Sequence, residues 1–491
     1  MKVFYNNIHP YPSSTRKDIL KEKIAHPIII LLLIAGAVGT AWAVSSFGVT
    51  GGVLILIGIL ALPIVAVIMM YPKIGIIISL VAAHLIMWMS RLGVNFPLGT
   101  LMDGLEVLLI ASFFLKQKSE KNWLIFKNPI TVIILIWIIY NVLEVINPYA
   151  ESKMAWLYTI RTTALVMFMY FIFLYNIRTI KFMRLIFKIW LGFSLFAAIY
   201  AFKQEHFGFF AFEQNELNSN PILTDLLFIA GHWRKFSIFS DPVTFSYNMV
   251  ISTILCIVLM TGPLAKRKKI ILGFLAAFFM LNMLYSGTRG AYVLVPAAMI
   301  LFAIIKFNKR ILVFSIIGGF LFAILVFMPT SNINIIRFQS AFRPTEDASY
   351  NLRKYNQKRI QPFIQSHPLG GGLGATGVWG QRFSPDSMLA NFPPDSGYVR
   401  VAVELGWVGL FLFCCLIFIV LRTGINNYYS IDDPELKTYC LACTLIVFAL
   451  HVGNYPQEAL VQYPSNILFY LAIAMITATK FNDKNKMYLN G

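Results

Sequence analysis

Seven cations, Arg337, Arg343, Arg353, Lys354, Lys358, Arg359 and Arg382, fall in the stretch Pro329–Gly397, where a chain of apolar runs turns polar, basic and glycine-rich. Arginine carries a planar fork of donors that grips phosphate oxygens bidentately, so this chemistry suits a phosphate-bearing or polyanionic substrate. Three sequences outside the stretch carry the same chemistry. Arg161, five residues after Trp156, sits a turn or more into an apolar run, where a charge needs a partner or water. A substrate anion meets that need, and so does an ion pair with Glu144 or Glu151. Gly231 to Pro242 sets Arg234 among aromatics and ends in Asp241-Pro242, a pairing typical of a helix start, which gives Asp241 a capping role. Ser286-Gly287-Thr288-Arg289-Gly290 holds Arg289 between glycines that let the backbone turn sharply and approach a ligand, ahead of a helix start whose free N–H groups attract anions.

Within the basic stretch, Asp347-Ala348-Ser349 precedes Arg353, and His367-Pro368-Leu369-Gly370 opens a run with glycines at 370, 371, 372, 374 and 377. Those glycines read as a tight turn or as a phosphate cradle, and no P-loop Lys-Ser/Thr accompanies them. Asp395, in Pro394-Asp395-Ser396-Gly397-Tyr398, stands where the stretch returns to an apolar run and can accept a proton from a hydroxyl. No carboxylate cluster of metal-ligand type stands out, so neither a metal nor another cofactor is expected.

The elements that position these residues are apolar helices. Hydrophobic residues make up 58% of the 491 and charged residues 13%, with a mean hydropathy of +0.70. That composition predicts an all-α integral membrane protein. The ~20-residue length rule gives about fourteen transmembrane helices, at roughly 25–47, 51–71, 74–91, 98–115, 129–147, 156–176, 183–203, 242–262, 270–286, 290–306, 310–328, 398–421, 438–453 and 464–480. The chain divides on this reading into a cytoplasmic tail (1–24), helices over 25–328 with an outer loop at 204–241, a large extracytoplasmic loop (329–397), further helices (398–480) and a second cytoplasmic tail (481–491). Placing both termini in the cytoplasm puts Lys-rich connections inside at every return, as the positive-inside rule requires. The net charge of +19 follows the membrane in this way, which argues against nucleic acid as partner. Outside, arginine dominates, and the 329–397 loop faces outward. All five cysteines lie inside apolar runs and read as packing thiols.

Taken together, Arg234 through Pro242, the Ser286-Gly-Thr-Arg289-Gly signature, Asp347 to Arg353, His367-Pro-Leu-Gly-Gly-Gly and Asp395-Ser-Gly-Tyr leading into Glu404-Leu-Gly-Trp-Val-Gly resemble the O-antigen ligase and O-antigen polymerase superfamily. The resemblance covers roughly 230–410. It implies a bacterial inner-membrane enzyme whose site faces the periplasm, acting on an undecaprenyl-diphosphate-linked glycan donor and a glycan or lipid-linked acceptor among membrane lipids. Carried onto this chain, Arg289 and Arg234 would hold the diphosphate, with Arg161 and Arg353 as further contacts. Ligases of the family carry a His at the start of the helix after the loop. This chain has Asp395 there, so polymerase and ligase both stay open. Asp395 would take the hydroxyl proton, with His232 or His367 as alternates. Two rival functions are a lipid-linked glycan flippase, for which Glu106, Glu144 and Glu404 are the mid-membrane charges to watch, and a protein O-oligosaccharyltransferase.

Overall fold

The computed structural model describes residues 62–93, 98–229, 231–307, 309–331, 333–342 and 348–490, with scattered positions between 27 and 46. The 1–24 tail, most of the first two expected spans, Arg343 and Asp347 lie outside the described residues. The chain divides into two compact units, Met1–Val67 and Ile68–Gly491. The described residues of the first are helical, and everything below concerns the second.

The second unit is almost wholly helical, as its composition predicts. Its first helices are α1 (Pro72–Arg91), α2 (Leu98–Glu120), α3 (Pro129–Leu143), α4 (Lys153–Asn176), α5 (Ile180–His206), α6 (Ala211–Ser219) and α7 (Pro221–Leu227). A two-stranded hairpin of β1 (Phe228–Ile229) and β2 (His232–Trp233) follows. The central helices are α8 (Pro242–Met260), α9 (Lys266–Tyr285), α10 (Arg289–Tyr292), α11 (Leu294–Ile305) and α12 (Lys309–Phe327). The 329–397 stretch contributes α13 (Ile333–Ser340), α14 (Ala348–Ser366) and α15 (Gly377–Phe383), and the chain ends with α16 (Gly397–Ser430), α17 (Pro434–Gly453) and α18 (Ser465–Asn490). Among the described residues nine helices are long and apolar enough to cross a membrane, and Arg289–Ile305 and Ile316–Phe327 are shorter apolar ones.

Helix starts follow local chemistry. Asn128, Ser152, Thr179 and Asp433 cap α3, α4, α5 and α17, each accepting a backbone N–H of the first turn. In the middle of the bundle α8 and α17 are buried along most of their length, and α18 packs on α17 and α4. With no water to satisfy them in an apolar surround, backbone groups pair within helices, which is why long apolar runs become helices here.

The 329–397 stretch is docked on the bundle through its glycines. Gly371 N–H donates to Val403 O at 2.8 Å and Gly372 N–H to Glu404 O at 2.9 Å. These carbonyls are accessible because α16 breaks at Gly406, whose φ of 68° and ψ of −176° leave the helix. A side chain at Gly406 would collide with Pro368 O, one at Gly370 with the Gly406 N and Glu404 O, and one at Gly374 with α4 at Thr159 and Ala155. The run from His367 to Gly377 is therefore a close-packed turn against α4 and α16. Glu404, 3% exposed, fixes it by accepting from Gly374 N at 3.0 Å, Thr376 N at 3.3 Å and the Thr376 hydroxyl.

Candidate active site

The end of the bundle that carries this stretch also carries the arginines. Asp241 accepts from Val243 N at 2.7 Å and Thr244 N at 2.9 Å, which caps α8 and sets the exit of the preceding segment. Arg91 shapes that segment from the other side. Its guanidinium donates to Phe239 O at 2.6 Å and Ser240 O at 2.7 Å and lies 4.0 Å over the Phe236 ring. So braced, Arg234 reaches the turn after α9, donating through Nε to Ser286 O at 3.0 Å and through Nη2 to the Thr288 hydroxyl at 3.2 Å. Thr288 in turn donates to Pro242 O at 3.2 Å. Arg234 and Arg289 thus flank one turn, the two resembling segments having folded together.

Arg337, on α13, joins them. Gly287 has a φ of +60°, and a side chain built on it would come within 3.0 Å of Arg337 Nη1 and 3.6 Å of Arg234 Nε. Only glycine lets the backbone lie against both guanidinium groups. Burial pulls the pKa of Arg234 and Arg337 below the ordinary arginine value; Tyr292 offsets this for both, and Arg289 repels both. Both stay charged, since arginine's pKa starts so high. Beside them His232 Nε2 and Lys235 Nζ lie 3.3 and 3.4 Å from Glu205. Burial lowers the pKa of each, and Glu205 opposes it.

A second group sits at the start of α16. Arg353, Asn356, Phe392, Asp395 and Ser396 line a small cleft. Arg400 bridges Glu404 at 3.1 Å and Glu458 at 2.9 Å. Burial pushes the Glu458 carboxyl above its usual range, Arg400 pulls it down, and Glu404 and Asp395 push it further up. Arg353 also lies within charge range of the Tyr247 hydroxyl, which itself approaches Gly290. The connection 454–464 between α17 and α18 joins the two groups. Pro456 packs against Gly290, Asn454 O accepts from Gly397 N at 2.9 Å, Glu458 holds Arg400, and Gln462 contacts the Ser240 hydroxyl. Nothing in the chemistry of that connection marks it in the sequence, and its part is visible only once the helices are assembled.

Other candidates are placed elsewhere. Arg161 pairs with Asp103 at 3.2 Å, a carboxylate other than the Glu144 or Glu151 that stood as its ion-pair alternatives to a substrate anion. Those two are committed, Glu144 to Asn147 at 2.7 Å and Glu151 to Ser387 at 2.8 Å. His367 stacks on Phe363 with ring centres 4.1 Å apart and meets Tyr149 edge-on at 4.8 Å, inside the docked turn. The mid-membrane carboxylates singled out for transport all have local partners: Glu106 accepts from Tyr463 at 3.1 Å, Glu144 from Asn147, and Glu404 holds the glycine turn. Among the described residues no group of three or more His, Cys, Asp or Glu side chains could hold a metal ion.

Residues 271–414 match the family model described as O-Antigen ligase. No curated protein matches the chain. The matched segment runs from α9 into α16 and contains Arg289, Arg337, Arg353 and Asp395. Over that segment the chain is similar to the O-antigen ligases, and its long apolar helices fit a multi-pass membrane protein of that kind.

Proposed function

We propose that the protein transfers a glycan from an undecaprenyl-diphosphate-linked donor to an acceptor sugar hydroxyl on the periplasmic face of the inner membrane. The observation that carries this reading is the convergence of Arg234 and Arg289 on one turn, linked through Pro456 and Asn454 to the cleft of Arg353 and Asp395. The acceptor oxygen forms a bond to the anomeric carbon as the bond from that carbon to the diphosphate oxygen breaks. The bonding pair leaves with the lipid diphosphate, where negative charge grows, and fixed arginines in a partly dry site stabilise that charge more in the transition state than in the ground state. The acceptor proton goes to the Asp395 carboxylate. Asp395 is favoured over its alternates because His232 is paired with Glu205 and His367 is packed in the docked turn. The Asp103 partner gives Arg161 a positioning role in the bundle, which leaves Arg353 as the further contact to the donor.

Surface and lipid-linked glycans of a deletion strain test the reading. Single repeat units held on the lipid identify a polymerase, and full-length chains held on the lipid identify a ligase. A deletion strain with glycans identical to its parent contradicts both.

A further inference from the structure

The end of the bundle away from the arginine turn carries a cluster of another kind. α9 ends at that turn and α10 and α11 follow it, so the start of α9 and the end of α11 lie at the opposite end. α17 also starts there, since its last residue, Gly453, meets Leu294 at the start of α11. We infer that Lys269, Lys306 and Lys437 converge at this end to form a site for the headgroup phosphate of an anionic phospholipid. The inference stands apart from the glycan-transfer reading.

Three packed elements bring the lysines together. Gly262, between α8 and α9, lies so close to α17 that an added Cβ would come within 3.0 Å of the Thr438 side chain. Lys437, beside that contact, lies 5.1 Å over the ring of Tyr428, which is 7% exposed. The next tyrosine, Tyr429, donates its hydroxyl to Ile305 O at 2.7 Å, which fixes the end of α11 just before Lys306. α11 packs on α17, and α8 on α9. Lys269, Lys306 and Lys437 are each half-buried, whereas Lys266, Lys268 and Lys309 at the same end are exposed.

The charges that act on Lys306 are Lys269 and Lys437, both of its own sign, and burial followed by these two pulls its pKa below the ordinary lysine value. Carboxylates at this end are engaged elsewhere. Glu435 accepts the Arg184 fork at 2.6 Å on each oxygen, and Asp433 caps α17. Asp483 accepts the Asp432 and Asp433 N–H groups and pairs with Lys480. Lysines that only mark one side of a membrane spread into water, as Lys266 and Lys268 do. Half-buried like charges repel more strongly, and a bound anion turns that repulsion into attraction.

The source of the anion follows from the surface beside the lysines. Ile270 and Phe274 on α9, and Ile300 and Ile304 on α11, are exposed within two turns of Lys269 and Lys306. A phosphate held by the lysines and carrying acyl chains covers such apolar surface, which a free phosphate leaves bare. Basic pockets between membrane helices take anionic headgroups in this way.

Full-length protein, delipidated in neutral detergent and titrated with phosphatidylglycerol, tests the site by native mass spectrometry and by melting temperature. Lys306→Gln is expected to weaken binding about 5-fold, and the triple variant Lys269→Gln, Lys306→Gln, Lys437→Gln about 100-fold. Lys306→Arg should stay near the parent. Lys181→Gln removes the same charge from an exposed lysine near Arg184 at the same end, and it should bind as the parent does. Without lipid, Lys306→Gln is expected to melt at or above the parent temperature, because repulsion from Lys269 and Lys437 is relieved, and to gain less from phosphatidylglycerol than the parent gains. Phosphatidylethanolamine should not displace the bound lipid.

Parent-like binding by the triple variant overturns the inference. An equal loss in Lys181→Gln also overturns it, reducing the three lysines to a general attraction for the membrane. Displacement by equimolar inorganic phosphate assigns the site to a soluble anion and overturns the lipid. Should Lys306→Gln fail to fold, Lys437→Gln alone carries the same 5-fold expectation, and parent-like binding there overturns the inference as well.

Discussion

Replacing Glu404 by Ala should uncouple the 367–377 turn from α16. The carboxylate is 3% exposed and accepts two backbone N–H groups, the Thr376 hydroxyl and the Arg400 guanidinium. Removing one partner of such a buried, hydrogen-bonded charge pair costs about 3–5 kcal/mol, because Gly374, Thr376 and half of the Arg400 fork are left without an acceptor. Arg400 keeps Glu458 at 2.9 Å, so its charge is not stranded and the loss should concentrate at the turn. The measurable result is a lower melting temperature in detergent together with faster proteolysis between α14 and α16. Glu404→Gln, which keeps the shape and one acceptor oxygen, should fall between Ala and the parent. Parent-like melting and parent-like proteolysis of Glu404→Ala would refute the idea that this carboxylate fastens the turn.

Gly406→Ala tests the same junction from the backbone side. Gly406 has a φ of +68°, and an added Cβ would collide with Pro368 O, so the yield of monodisperse protein on gel filtration should collapse. Gly208→Ala, at a similar φ of +76° but with open space around it, should cost only about 1–2 kcal/mol and remain monodisperse. At His232, burial lowers the pKa in the folded protein relative to its ordinary value near 6.5. The unfolded chain then binds the proton more readily, so this residue's contribution is full above about pH 6.5 and is lost as pH falls below it. Melting temperature should drop on acidification from about pH 7 to 5, and His232→Gln should flatten that slope. An unchanged slope would remove His232 from the account.

The membrane helices were legible because an apolar solvent leaves the backbone few alternatives, so run length alone predicts the element. Asp241 was legible as a cap because Asp-Pro is a local signal, and the accepted N–H groups lie two and three residues away. Arg234 and Arg289 stood out as cations set among aromatics and glycines. What stayed hidden depends on which helices become neighbours. Arg161 finds Asp103 rather than the nearer Glu144 or Glu151, since α4 lies against α2. Arg91 shapes a segment about 150 positions further along, at Phe239 and Ser240. Glu404 stood out as an unexplained mid-membrane charge and proves to hold a loop. The 454–464 connection has ordinary loop composition, yet it touches Gly290, Gly397, Arg400 and Ser240 together.

Purified protein in detergent, given lipid-linked repeat units and an acceptor, offers the most direct test of glycan transfer at the arginine turn. Release of undecaprenyl diphosphate should match new glycosidic linkages one for one, persist in chelator, and disappear in Arg289→Gln and Arg234→Gln at normal membrane levels. Failure of the parent protein to form any linkage in detergent, with movement of the intact lipid-linked substrate across sealed vesicles, would contradict the account.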